Sequence, residues 1–148
     1  MQENINRNRF FRHLAPTSPE PLALEFVRAE RSTLFSSDGK EYLDMISGIS
    51  VSNMGHNHPD INAAVINQVN KHSHLMVYGE FVQDVQVKLA EMLAASLGDG
   101  FESVYFVNSG AEAVEGAMKL AKRYTGRHEI ISCKNAYHGS THGALSIM

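Results

Sequence analysis

Ser103-Val104-Tyr105-Phe106-Val107-Asn108-Ser109-Gly110-Ala111-Glu112-Ala113 is the stretch, residues 103–113, on which the fold turns. Residues 103–107 are β-branched or aromatic apart from Ser103, which predicts a compact strand. Gly110 opens a helix running to Tyr124. Its apolar residues Ala113, Val114, Ala117, Met118, Leu120, Ala121 and Tyr124 share one broad face, and Glu112, Glu115, Lys119, Lys122 and Arg123 take the other. Glu115 precedes Lys119 by four positions, the order that favours a helix-surface ion pair. Gly126 closes the helix. Residues 129–133, EIISC, read as the next strand. Strand, helix and strand with short links make a βαβ unit, so the strands should run parallel with a right-handed crossover, and the fold class is α/β.

Ser109 followed three residues later by Glu112 is a capping box, which is sufficient reason for both residues. The same helix end also suits an anion, because its first N–H groups lack helical partners and carry partial positive charge. Gly110 would let a ligand approach the backbone. After the second strand comes Asn135-Ala136-Tyr137-His138-Gly139. Both strand-to-loop junctions of a βαβ unit lie at one edge of the sheet, where ligands of open α/β folds bind. Tyr137 should therefore stand near Gly110. A phosphate on one loop and a ring-stacking residue on the next would suit a phosphorylated aromatic cofactor; Tyr137 as half-buried packing fits equally well.

Upstream, Pro16, Pro19 and Pro21 predict an extended or turning segment. Residues 33–36 and 41–44 read as short strands joined through Ser37-Asp38-Gly39-Lys40, where Asp-Gly suits a tight turn. Residues 46–54 are apolar and small and predict a buried strand or tightly packed loop. Gly55-His56-Asn57-His58-Pro59 breaks that pattern, and Pro59 suits the first turn of a helix with Ile61, Ala64, Val65 and Val69 on one stripe. A further helix is expected over residues 82–97, with Val82, Val85, Leu89, Met92 and Leu93 facing inward and Gly98 as its stop.

Taken together, Phe106-Val107-Asn108-Ser109-Gly110-Ala111-Glu112-Ala113, Lys119-Leu120-Ala121-Lys122 and Tyr137-His138-Gly139 strongly resemble class III aminotransferases, of the acetylornithine, ornithine and 4-aminobutyrate kind. Asp38-Gly39-Lys40-Glu41-Tyr42-Leu43-Asp44 and Gly55-His56-Asn57-His58-Pro59 match the same family in the same order, so the likeness runs from about residue 14 to the end. The resemblance implies the amino-terminal portion of a fold-type-I pyridoxal-phosphate-dependent transferase. Residues 1–54 would form an arm and small-domain segment, and residues 55–148 the first part of the large cofactor-binding domain.

For single residues, the resemblance implies that Ser109, Gly110 and Ala111 hold the phosphate of pyridoxal 5'-phosphate. Tyr137 would stack on its ring, with His138 beside it. Ile49, Tyr78 and Ser140 would line the substrate pocket. The Schiff-base lysine and the aspartate facing the pyridine nitrogen are expected beyond Met148, since none of Lys40, Lys71, Lys88, Lys119, Lys122 and Lys134 sits in the corresponding motif. No catalytic residue is thus expected within these 148 residues, and the chain alone is expected to be inactive. Ser140 stands where acetylornithine and ornithine enzymes typically carry arginine. Serine cannot make the bidentate grip on a carboxylate, so a broader amine or amino-acid donor with a 2-oxo acid acceptor is expected. The rival readings are an aminomutase or decarboxylase of the same fold, and a truncated, non-catalytic protein that binds cofactor or a partner.

Composition agrees with a soluble globular class: 43% hydrophobic, 20% charged, net charge -3. Nothing suggests a basic nucleic-acid surface, and no stretch approaches membrane-spanning length. Cys133 is the single cysteine, which points to a reduced, cytoplasmic protein. It ends a predicted buried strand and should behave as a small apolar residue. His56-x-His58 and His72-x-His74 lack acidic or cysteine companions at metal-ligand spacing, so no metal is expected. Residues 1–13 should be a loose arm without a signal peptide. Family members work as dimers, so the intact protein is expected to be a homodimer.

Overall fold

The computed structural model describes residues 5–76 and 79–148. The chain divides into two compact units, Met1–Val77 and Tyr78–Met148.

In the first unit, α1 (Ile5–His13) replaces the loose arm expected from composition. No proline or glycine interrupts this run. Arg7 lies over the Phe11 ring four residues on, at 5.8 Å, and the Asn6 amide donates to Glu25 Oε1 at 2.5 Å. The only sheet among the described residues is antiparallel, in the order β1 (Phe26–Glu30), β2 (Thr33–Ser36), β3 (Glu41–Leu43). The β2–β3 hairpin pairs Thr33 with Leu43, Leu34 with Tyr42 and Phe35 with Glu41. Its turn is the one the Asp-Gly pair predicts: Gly39 has φ 83°, and the Ser36 N–H donates to the Lys40 carbonyl at 2.9 Å.

The first strand, β1, was not foreseen. It is broken by an irregularity between Phe26 and Arg28, which hides its alternation. It is held by cross-strand contacts, with Phe26 edge-on to Tyr42 at 5.5 Å and the Arg28 guanidinium 3.7 Å from the centre of the Phe35 ring.

Residues 46–54 are neither a strand nor buried. They contain α2 (Ser47–Ser50), a single turn of left-handed backbone with φ of 50°, 60°, 62° and 63° at Ser47, Gly48, Ile49 and Ser50. Left-handed backbone is unusual for a β-branched residue such as Ile49. Asp44 holds the turn at its start. Its Oδ1 accepts the N–H groups of Ile46 at 3.0 Å and Ser47 at 2.8 Å, and its Oδ2 lies 2.7 Å from His56 Nε2. His56 is fixed in turn by a two-bond bridge with the Arg31 backbone. Pro59 then starts α3 (Pro59–Lys71), as expected.

The second unit contains α4 (Asp84–Leu97), stopped at Gly98, then α5 (Gly110–Thr125), stopped at left-handed Gly126, and a final short turn, α6 (His142–Leu145). The parallel strands expected over residues 103–107 and 129–133 do not form, because neither segment joins a hydrogen-bonded ladder among the described residues. A strand exists only through its neighbours, and the propensity of five residues does not supply them. The expected inward face of α4 is open as well, with Leu89 48% exposed and Met92 70%; Val82, expected on that face, precedes the helix and is 93% exposed. Cys133 is exposed rather than the buried end of a strand.

The burial totals follow from this. The chain exposes 13208 Å², whereas two separate globules of half its mass would together expose roughly 9,000 Å². Among the described residues, those buried are Ser36 in the first unit and Gly139 and Ala144 in the second. Apolar faces on α3, α4 and α5 lie open. No helix among the described residues is long and apolar enough to cross a membrane.

Candidate functional site

The amino end of α5 is capped by Ser109, whose Oγ accepts the Glu112 N–H at 3.2 Å. Glu112 does not close the usual reciprocal box. Its Oε2 reaches one residue further back and accepts the Asn108 N–H at 2.8 Å. The Ala113 N–H is taken by the Ser109 carbonyl at 3.1 Å. The N–H groups of Gly110 and Ala111 are left with no acceptor among the described residues. Capping and anion binding are therefore compatible, since the cap uses the third amide of the helix and leaves the first two free. A Cβ on Gly110 would meet nothing within 4 Å, so this face is open.

The loop after residues 129–133 meets this helix end. Gly139 is buried with φ 124°, and a Cβ built on it would stand 2.5 Å from Ala111 Cβ and 3.0 Å from Ala111 Cα. Only glycine fits that seam. Between the two loops opens a cleft of about 700 Å³. One wall is Ser109, Gly110, Ala111 and Val114, and the other runs from Tyr137 through His138, Gly139 and Ser140 to Thr141. That volume falls within the range of small-molecule sites. Tyr137 is 75% exposed, so its ring is not packing in a core. Its hydroxyl lies 3.1 Å from Ser140 Oγ, which ties the two residues together.

The structure thus brings Ser109, Gly110, Ala111, Tyr137, His138 and Ser140 to one cleft. Ile49 lies in the first unit, on α2, with its side chain 85% exposed. Tyr78 lies outside the described residues. No lysine is among the residues that line the cleft.

Two residues acquire partners that the sequence reading did not foresee. Thr141 belongs to the cleft wall. Glu115 forms no ion pair with Lys119 among the described residues and turns to the last segment of the chain, where its Oε1 accepts the Gly143 N–H at 2.9 Å. The Thr141 hydroxyl, then the Gly143 N–H, lower its pKa from the ordinary glutamate value, and Lys119 is the weakest contributor. The i to i+4 spacing toward Lys119 offered a sufficient local explanation, and a partner 28 residues away leaves no local signal.

The sequence profile described as Aminotransferase class-III matches residues 14–148. A protein of Pyrococcus abyssi named as a LysW-aminoadipate semialdehyde/glutamate semialdehyde transaminase is 48% identical over 124 residues, covering 83% of this chain and 33% of its own. The acetylornithine aminotransferase of Streptomyces coelicolor is 45% identical over 125 residues, covering 84% and 30%. Among solved structures, the taurine:2-oxoglutarate aminotransferase of Bifidobacterium kashiwanohense, in complex with PLP and glutamate, is 30% identical with a TM-score of 0.84, over 95% of this chain and 32% of that one. The chain spans about a third of the length of the curated relatives it matches. Its backbone follows the matching stretch of the fold-type-I transaminase fold, although the large-domain strands find no ladder here. With a profile match over residues 14–148 and this agreement of backbone course, the chain belongs to the class-III aminotransferase family.

Proposed function

We propose that the protein to which this chain belongs transfers an amino group between an amine or amino acid and a 2-oxo acid through pyridoxal 5'-phosphate. The observation that carries this reading is the cleft itself, which is lined both by two unpartnered amides and by an exposed aromatic ring, with Gly139 and Ala111 in close contact between the two walls.

The residues present fit the cofactor. The N–H groups of Gly110 and Ala111 would hold the phosphate at the positive end of α5, with the Ser109 hydroxyl alongside. Tyr137 would stack on the pyridine ring, with its orientation steadied by the Ser140 hydroxyl. His138 would flank the ring. When bound, the cofactor supplies an electron sink for the substrate carbon that loses its amino group. Ile49 on its left-handed turn would contribute apolar surface to the substrate pocket, Tyr78 the same, and Ser140 a neutral hydrogen bond. A neutral Ser140 admits amine donors that lack a carboxylate at that point, so the donor range is broad. No residue of the cleft is assigned the proton transfer, since no lysine lines it.

The division into an arm and small-domain segment at residues 1–54 and large domain from residue 55 belongs to the same reading. So do a cytoplasmic location and a homodimer, toward which the open apolar faces of α3, α4 and α5 point. Two measurements test the function. The protein should take up pyridoxal 5'-phosphate in competition with inorganic phosphate, followed by absorbance, and the intact enzyme should form new amine only when a 2-oxo acid is supplied. Uptake that phosphate does not oppose, or amine loss independent of the oxo acid, would overturn it in favour of a decarboxylase or another occupant.

A further inference from the structure

We propose that Glu115 is a positioning residue for this cleft, tying the wall that carries Tyr137 to the helix whose end forms the opposite wall. The inference rests on the cofactor reading above and adds a residue to it.

The argument begins with where Glu115 stands. It lies on α5, little more than one turn beyond the free amides of Gly110 and Ala111. Its carboxylate turns toward the last segment of the chain. Oε1 accepts the Gly143 N–H at 2.9 Å, and Thr141 and Ala144, on either side of that glycine, add to the lowering of the carboxyl pKa. Thr141 is the last residue of the second wall, and Gly143 and Ala144 begin the turn that follows it. The contact is close enough that a Cβ on Gly143 would come 2.7 Å from Glu115 Cδ, so a larger residue there would make the carboxylate shift. Ala144 beside it is fully buried. Segment 137–144 is therefore pinned to α5 twice, by Gly139 against Ala111 and by Gly143 against Glu115. Tyr137 lies before both pins, and its hydroxyl meets the Ser140 hydroxyl at 3.1 Å.

The consequence separates the two halves of the cleft. The free amides belong to α5 and do not depend on the second pin, whereas the height of the ring above them does. Loss of the Glu115 carboxylate should leave anion binding intact and disturb ring stacking.

The test uses two probes on Glu115→Ala and Glu115→Gln. Inorganic phosphate reads the helix end alone, and pyridoxal 5'-phosphate reads both walls. In the alanine variant, affinity for pyridoxal 5'-phosphate should fall about tenfold, as for one lost hydrogen bond to a charged group, with phosphate affinity held within about twofold. The glutamine variant keeps an acceptor for the Gly143 N–H and should recover part of the loss. Without any ligand, amide exchange over residues 137–147 should quicken in the alanine variant and less so in the glutamine one. Parallel loss of both probes, no loss of either, or unchanged exchange would overturn the proposal. A parent protein that binds neither probe would overturn the cofactor reading instead, and the exchange measurement would still decide the tie. If far-UV circular dichroism shows that Glu115→Ala has lost helix, Glu115→Gln decides alone: unchanged exchange over residues 137–147 together with unchanged affinity for both probes would overturn the proposal.

Discussion

Gly139 lies so close to Ala111 that no side chain fits between the two loops, and this contact makes the walls of the cleft neighbours. Gly139→Ala would force a methyl to 2.5 Å from the Ala111 methyl at φ 124°, where L residues are strained. Overpacking of this kind costs about 1–3 kcal/mol. The loops should separate, with both phosphate and pyridoxal 5'-phosphate binding weakened and the melting temperature lowered. The double variant Ala111→Gly/Gly139→Ala should recover part of the binding. Absence of any recovery in a ligand titration would show that the strained backbone, rather than the crowded seam, is responsible.

The helix end allows stability and binding to be separated. Ser109→Ala removes the cap to the Glu112 N–H and should cost about 1 kcal/mol of stability, read from denaturant midpoints. Its effect on phosphate affinity should be small, because the free amides belong to Gly110 and Ala111. Gly110→Val should do the reverse. Its side chain enters open space on the cleft side, so the fold should survive while calorimetry finds phosphate binding lost.

Features with a local cause were legible in the sequence. Pro59 starts α3, Gly98 and Gly126 stop α4 and α5, Ser109 caps α5, and Asp38-Gly39 turns the hairpin. The two cleft loops do line one cleft, as expected, although the strands from which that expectation was argued form no ladder among the described residues. Features that depend on distant partners were not legible. Residues 103–107 have strand propensity but no ladder, and the second pin of Glu115 is closed by residues far along the chain. Apolar content misled at residues 46–54, where the backbone is set by the Asp44 hydrogen bonds rather than by burial.

The hairpin offers a titration that reads its turn directly. Asp38 bonds the Lys40 ammonium, an ion pair of 2.7 Å, and also accepts from the Ser36 hydroxyl. Lys40 first, and Ser36 second, bring its pKa down to about 2. A carboxyl carbon shift for Asp38 should therefore stay flat until well below the ordinary aspartate range. Lys40→Met removes the largest cause and should raise the midpoint toward 3.8, the ordinary value, with the Ser36 hydroxyl still holding it below. A midpoint already near that value in the parent protein would mean that the pair is open in solution.

Asp44 should make the stability of the first unit depend on acid. His56 first, then the N–H groups of Ser47 and Ile46, lower its pKa from the usual value. For a carboxylate whose folded pKa lies below its unfolded one, the stabilisation is present above the unfolded pKa and is lost as pH falls through the folded one. Wild type should thus exceed Asp44→Asn in melting temperature at neutral pH, and the gap should close as the solution is acidified below the ordinary aspartate range. The side chain of Asp44 is only 7% exposed and holds the start of α2, so the variant should also loosen the left-handed turn that carries Ile49. Faster amide exchange at Ser47, alongside unchanged exchange in α3, would be the local sign. A gap in melting temperature that persists undiminished at acid pH would show that Asn fails there for reasons of shape rather than charge.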